Sequence, residues 1–340
     1  MSERNLHAKA FDEGTEDKLN IYRCYLRKWL PVFMHTKAPI NKVQIFDFFA
    51  GPGCDLKGKP GSPIIALEEI HGALEMCAQL GRTPPKIELY CNEFSPTKHR
   101  QLIQCIARHE YAHEVGVVLG QKDFPDAFAE CYPLMKERGV ANLLFLDQNG
   151  VKQVTRGIFQ TMVSLPQTDF LFYIASSIIN RFKEDPAIIN PLPLTADDLD
   201  RMNGTNVHGI IKEAYQRLSP QSYLVPFSFK KGANVYGLIF GTEHQLGAEK
   251  FLSVCWGLDK VCGLANFDIE NEHINPCAPS LFEELDKPKK LNVFEQRLSK
   301  GILGGHLKTN YDIYEFALRE GFLPHHTQAA LTAMGELQAR

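Results

Sequence analysis

The chain of 340 residues carries 37 Lys+Arg against 40 Asp+Glu, a formal net charge of −3, with 44% apolar and 23% charged residues. These values are ordinary for a globular protein and exclude wholesale disorder, a collagen-like fibre and a disulfide-stapled miniprotein. The near-neutral balance supplies no global field for nucleic acid, so a role there needs a local patch.

From the N-terminus, Leu19, Tyr22, Leu26, Trp29 and Phe33 recur at steps of three and four, one face of a helix with Thr15 as its N-cap and Pro31 near its end. KVQIFDFFA then reads as a strand buried on both faces of a parallel sheet. Strands are expected at 86–93, 114–120, 141–147 and 168–176, with helices at 63–80, 96–109, 125–138 and 155–164. Such alternation implies right-handed crossovers and a Rossmann-like, doubly wound, mostly parallel sheet. SYLVPFSFKKGANVYGLIFGT closes it as an antiparallel hairpin. A helix is expected around Glu249–Lys260. The Pro- and Asp-rich stretch 182–204 reads as an inserted loop or lid. The expected organisation is an N-terminal helical segment (1–40), an α/β domain (41–285) and a helical appendage (286–340). In the appendage YDIYEFALRE, Gly321 and LPHHTQAALTAMGEL resemble a helix-turn-helix hairpin without a basic recognition helix.

Nine scattered cysteines, none spaced C-x-x-C, read as core thiols of a reducing compartment. No metal site is expected: His273 and Cys277 are four apart, but Pro276 and Pro279 break any helix that would face them together. No apolar run approaches the ~18 residues of a membrane span, and the polar, acidic opening is unlike a secretory leader. A cytoplasmic location away from membranes is expected.

The most informative stretch is IFDFFAGPGCDLKGKPGSPIIALEEI. A strand ends at Asp47, Gly51 and Gly53 permit a tight turn, and a helix starts with Ser62 as N-cap and Pro63 in the first helical position. One reading is a nucleotide cradle at the carboxyl edge of the sheet. A second is a P-loop of a nucleotide hydrolase, because Gly53 to Lys59 fits G-x-x-x-x-G-K and LLFLD suits the partner strand. Pro60, however, stands where a hydroxyl should meet Mg²⁺. A third is a structural turn.

FAGPG resembles the first motif of class I S-adenosylmethionine-dependent methyltransferases. The combination of DFFAGPG…GSPIIALE, FLDQNGVKQV, LPQTDFLFYIASSIINRF, YLRKWLPV and EFALREGFLPHH resembles the three-Cys-motif partner proteins over most of the chain. The resemblance implies S-adenosylmethionine as cofactor. Phe49, Ala50, Gly51, Gly53 and Asp47 would lie at its methionine part, Glu93 at its ribose, and Asp123 with Phe124 at its adenine. Asp147 and Asn149 are the catalytic candidates, as carboxylate and amide acceptors around an amine. The expected D-P-aromatic-G is replaced by Asp147-Gln148-Asn149-Gly150, which resembles the D/N-P-P-aromatic motif of amino-methylating enzymes without its prolines and aromatic. Asp47 and Asp123 have competing duties in turn ordering and capping, Asp147 and Glu93 in capping, and Asn149 in an Asn-Gly turn. Lys152, Asn180 and Arg181 are candidates for an anionic substrate at the same edge. The resemblance also implies a three-Cys-motif protein as partner. The DQNG loop and helical tail point to a macromolecular acceptor, nucleic acid. A non-catalytic module that uses the fold to bind its partner is the alternative from another class.

Overall fold

A computed structural model describes residue 11 and residues 13–34, 40–148, 150–203, 206–232, 234–274 and 287–338. Among these residues seven strands form one sheet: β1 (Lys42–Asp47), β2 (Lys86–Asn92), β3 (Gly116–Gly120), β4 (Val140–Leu146), β5 (Thr168–Ile174), β6 (Tyr223–Lys231) and β7 (Asn234–Thr242). Their order is β3-β2-β1-β4-β5-β7-β6. The first five are parallel, and β7 runs antiparallel to both β5 and β6. This order, reversing at β1 and β4 and closed by an antiparallel hairpin, is the class I methyltransferase fold.

Among the described residues, thirteen α-helices accompany these strands. They are α1 (Glu13–Phe33), α2 (Ser62–Gln79), α3 (Pro96–Arg108), α4 (Phe124–Met135), α5 (Arg156–Val163), α6 (Ser176–Arg181), α7 (Pro186–Ile189), α8 (Ala196–Arg201), α9 (Val207–Leu218), α10 (Gln245–Leu258), α11 (Lys289–Leu303), α12 (Asn310–Arg319) and α13 (Pro324–Gln338). Helices α1, α2, α3 and α10 cover one face of the sheet, and α4, α5 and α9 the other. Every residue of β4 and β5 is buried, as two-faced cover demands. Fully burying each large apolar side chain contributes about 1.5–3 kcal/mol.

Helix α1 is held by the face its spacing predicts: Tyr22 stacks on Phe145 with centroids 4.1 Å apart, and the Tyr25 hydroxyl donates to Asp169 at 2.6 Å. Thr15 is not its N-cap, because the helix already begins at Glu13. Nor does Ser62 cap α2: Gly61 occupies that position in extended backbone, and Ser62 is the first helical residue. The expected start of β3 at 114 is replaced by a 3₁₀ turn over Glu110–Glu114, where Tyr111 stacks on His71 at 3.7 Å.

The stretch 182–204 contains α7 and α8. A capping box between Thr195 and Asp198 starts α8, and Arg217 of α9 pairs with the buried Asp198. Ile189, Leu192 and Met202 enter the core, so the described part of the stretch packs against the domain.

Helices α11–α13 enclose a separate small core of Phe294, Leu298, Ala317, Phe322 and Ala330. Lys290 anchors it: its ammonium donates to the Cys262 carbonyl at 2.7 Å and lies over the rings of Trp256 and Phe322. Burial, partly offset by the Cys262, Cys255 and Asp259 side chains, lowers its pKa to about 8. No helix among the described residues is long and apolar enough to cross a membrane.

Candidate functional site at the carboxyl edge of the sheet

Strand register sets the site. Asp47 lies level with Cys91 of β2 and Phe145 of β4, so Glu93 and Asp147 each stand two residues beyond that line. The chain leaving β1 is tied to both neighbours, Phe48 N–H donating to the Phe145 carbonyl at 3.2 Å and Ala50 N–H to the Asn92 carbonyl at 3.0 Å. It then turns through Gly51 at φ +63° and Gly53 at φ +85°, a region costly to other residues. Gly61 N–H closes the loop on the Gly53 carbonyl at 2.8 Å.

Asp47 is 1% exposed. Its Oδ1 accepts from Phe49 N–H at 3.2 Å, while its Oδ2 is buried with no hydrogen-bond partner among the described residues. Burial raises its pKa to about 7, against the easing effect of nearby Ser62 and the Phe49 N–H. An orphaned buried carboxylate oxygen is costly and marks a position where a donor from outside the chain would be welcome. A cavity of about 420 Å³ borders it, lined by Asp47, Phe48, Asn92, Gly120, Lys122 and Cys131 among others, between the ends of β1–β3 and α4. That volume is in the range of small-molecule sites.

The remaining candidates on this side have duties within the chain. Glu93 Oε1 accepts from Ser95 N–H at 2.8 Å, at the entry to α3. Asp123 caps α4, accepting from Asp126 N–H at 3.1 Å. Phe124 is buried and stacks on Phe49 at 5.2 Å. Sequence reasoning passed over Asn92, whose amide donates to the Lys122 carbonyl at 2.9 Å and whose oxygen accepts from Lys122 N–H at 3.0 Å. This residue joins the ends of β2 and β3. Its neighbour Gly120 would place a Cβ only 2.9 Å from the Asn92 Oδ1.

At the end of β4 the picture differs. Lys18 of α1 reaches both carboxylate oxygens of Asp147 at 2.6 Å. The Lys18 ammonium also lies 4.7 Å from the ring centroid of Tyr173, whose hydroxyl donates back to the Lys18 carbonyl at 3.2 Å. Burial, and secondarily the charge of Asp147, hold the Tyr173 hydroxyl well above its usual pKa. Gln148 is buried as a clamp, donating to the Tyr173 carbonyl at 2.8 Å and accepting from Gln153 N–H at 2.9 Å. Asn149 lies outside the described residues. Lys152 and Arg181 are exposed and Asn180 is half-buried.

The first turns of α1 and Phe11, two residues before it, extend along this edge. Phe11 N–H donates to Asp55 at 2.9 Å, Glu16 pairs with Lys59 at 2.5 Å, and Asn266 donates to Asp17 at 2.6 Å. The same contacts weaken the P-loop reading. Asp55 Oδ1 takes the Lys57 and Lys59 N–H groups, both at 2.8 Å, which a phosphate would need. Lys59 is directed to Glu16, and α2 starts only at Ser62. Among the described residues, no group of three His, Cys, Asp or Glu side chains is placed to hold a metal ion.

No family model and no curated protein matches the chain. Among solved structures it is similar to an O-methyltransferase from Bacillus cereus in complex with SAH, at 12% identity over 68% of this chain and 90% of that one, with a TM-score of 0.36. It is also similar to the M1A22 tRNA methyltransferase TrmK of B. subtilis, at 8% identity over 89% and 97% of the two chains, with a TM-score of 0.29. These likenesses are distant, and the fold assignment stands on the strand order and directions above.

Proposed function

We propose that the chain is an S-adenosylmethionine-dependent methyltransferase of the three-Cys-motif partner type, with a macromolecular acceptor, nucleic acid. One observation carries the reading: the orphaned carboxylate oxygen of Asp47, buried beside the left-handed Gly51–Gly53 turn, at the end of the first strand of a sheet ordered 3-2-1-4-5-7-6. An ammonium-bearing ligand is the donor that this oxygen lacks, and the residues present fit the cofactor. When bound, S-adenosylmethionine would supply a methyl group on a sulfonium.

In this reading Asp47 accepts from the cofactor's amino group. Phe49, Ala50, Gly51 and Gly53 let the backbone approach it, Glu93 offers an oxygen to ribose hydroxyls, and Asp123 with Phe124 border the base. Asp147 and Asn149 hold the acceptor, and the appended helices together with a three-Cys-motif protein complete the assembly in the cytoplasm. Methyl transfer needs alignment and dehydration more than acid–base chemistry, and in this reading Asp147, at the end of β4, supplies the alignment.

The ion pair between Lys18 and Asp147 favours a second reading, a non-catalytic module. There the carboxylate is permanently occupied and the fold serves to bind a partner.

Calorimetric titration with S-adenosylmethionine, S-adenosylhomocysteine and Mg-ATP in parallel tests these readings. Micromolar binding of both sulfur ligands, lost in Glu93→Ala, is the expected result. Binding of ATP alone would restore the hydrolase. Binding of none would sink the cofactor assignment and leave the module.

A further inference from the structure

Two thiols meet in the glycine loop. Cys54 directly follows Gly53, Cys105 lies on α3, and their sulfurs are 2.6 Å apart although 51 positions separate them in the chain. The backbone supports the approach: a Cβ built on Gly53 would lie 3.0 Å from the Cys105 Cβ and 3.3 Å from Leu102. Both thiols are half-buried rather than sealed. They border an open cavity of about 430 Å³ that Pro52, Asp55, Gln101 and Arg108 help to line, so a small oxidant can reach them. Cys77, Cys91, Cys255 and Cys262 are buried, by contrast.

We propose that Cys54 and Cys105 are a reversible oxidation site, taking hydrogen peroxide or a small organic peroxide and closing to a disulfide that joins the glycine loop to α3. In the first step the Cys54 sulfur attacks one peroxide oxygen, the O–O bond breaks, and Cys54 becomes a sulfenic acid as the departing oxygen takes the thiol proton and leaves as water, or as an alcohol from an organic peroxide. In the second step the Cys105 sulfur attacks the Cys54 sulfur, the S–O bond breaks, and the departing hydroxide takes the Cys105 proton and leaves as water. The two thiols lose two electrons and the peroxide gains them. Burial, reinforced by Cys54, pushes the Cys105 thiol up to about 12, which disfavours Cys105 as the first thiol to react.

The bond would close a loop of 51 positions and constrain the unfolded chain accordingly. It would also tie down Gly53, in the turn assigned above to the cofactor. That consequence rests on the cofactor reading, whereas the oxidation itself does not.

The test is non-reducing peptide mapping of the full chain after treatment with hydrogen peroxide, with no cofactor added. The expected result is a Cys54–Cys105 cross-linked peptide as the dominant species. It should be released by dithiothreitol, fall to a minor species when oxidation is done in urea, and accompany a Tm rise of about 5 °C. Sulfinic acids on each cysteine separately, or cross-links spread over other cysteines, would overturn the proposal. Cys54→Ser and Cys105→Ser should each abolish the Tm rise. If one variant fails to fold, the other carries the test together with the wild-type map. Because no measurement here involves S-adenosylmethionine, loss of the cofactor assignment and loss of this one are read independently.

Discussion

Two acids close neighbouring strands at the same sheet edge, and their surroundings are opposite. Asp47 is sealed from solvent and one of its oxygens lacks a partner. Asp147 keeps 25% of its side chain exposed and has both oxygens on the Lys18 ammonium. The first is an unmet demand for a donor, and the second is a demand met from within the chain. The sheet supplies carboxylates at both places, and the segments crossing above them decide which keeps an oxygen without a partner.

The largest expected effect is at the open end. Asp47→Asn should weaken S-adenosylmethionine binding at least 100-fold, because a neutral amide cannot pair with an ammonium group. The same variant should stabilise the ligand-free protein by about 2 kcal/mol at pH 8, since it removes a buried charge. The pH dependences carry the same opposition. A carboxyl raised to about 7 when folded binds its proton more tightly than in the unfolded chain. Stability of the ligand-free protein therefore falls as pH rises from about 4 to about 7 and then levels off. Cofactor affinity should move the other way, rising up to tenfold per pH unit over about pH 5 to 7 as the carboxylate forms. Paired denaturation and calorimetric titrations across that range check both signs, and Asp47→Asn should flatten both curves. Parallel slopes of one sign would break the contrast.

A smaller effect is expected beside the closed end. Gln148→Ala would strand the Tyr173 carbonyl and the Gln153 N–H, both of which the glutamine amide now satisfies. It should cost about 1–3 kcal/mol in urea denaturation and leave cofactor affinity within twofold of wild type. A change confined to affinity would show that Gln148 belongs to the ligand site and not to the scaffold.

How much of this was legible follows from the distance over which each feature is encoded. The continuous apolar runs of β1, β4 and β5 and the glycines after Asp47 are local signals, and they gave the sheet, its order of elements and the turn. Register then followed from the strands, and it brought the acids at 47, 93 and 147 to one edge. The partner of Asp147 was not legible. Lys18 precedes it by 129 positions and sits on a helix with no local signal that points to the end of β4. Gln148 looked like a departure from a methyltransferase motif, yet its amide serves backbone groups that only the folded loop brings together. Thr15 and Ser62 were misread for a shared reason. A capping residue type marks a helix start only when the backbone leaves the helix there, and the two helices begin three residues and one residue earlier than those caps imply.

The smallest expected effect on stability, and the sharpest test of the contrast, is Lys18→Met. The pair is partly exposed, so its loss should change stability by no more than about 1 kcal/mol. Methionine retains much of the apolar stem that packs near Tyr173. If Asp147 holds a methyl acceptor, Lys18 competes with that acceptor for the same two oxygens. Removing it should lower the acceptor KM several-fold while leaving S-adenosylmethionine affinity within twofold, because Asp47 and the glycine turn are untouched. If Lys18 instead helps to hold an anionic acceptor, the same variant raises KM, and Lys18→Arg restores it. If the edge is a partner-binding module, neither parameter exists and Lys18→Met alters only partner affinity. Measuring both affinities on one variant separates an acid reserved for a substrate from an acid used to fasten α1 to the sheet.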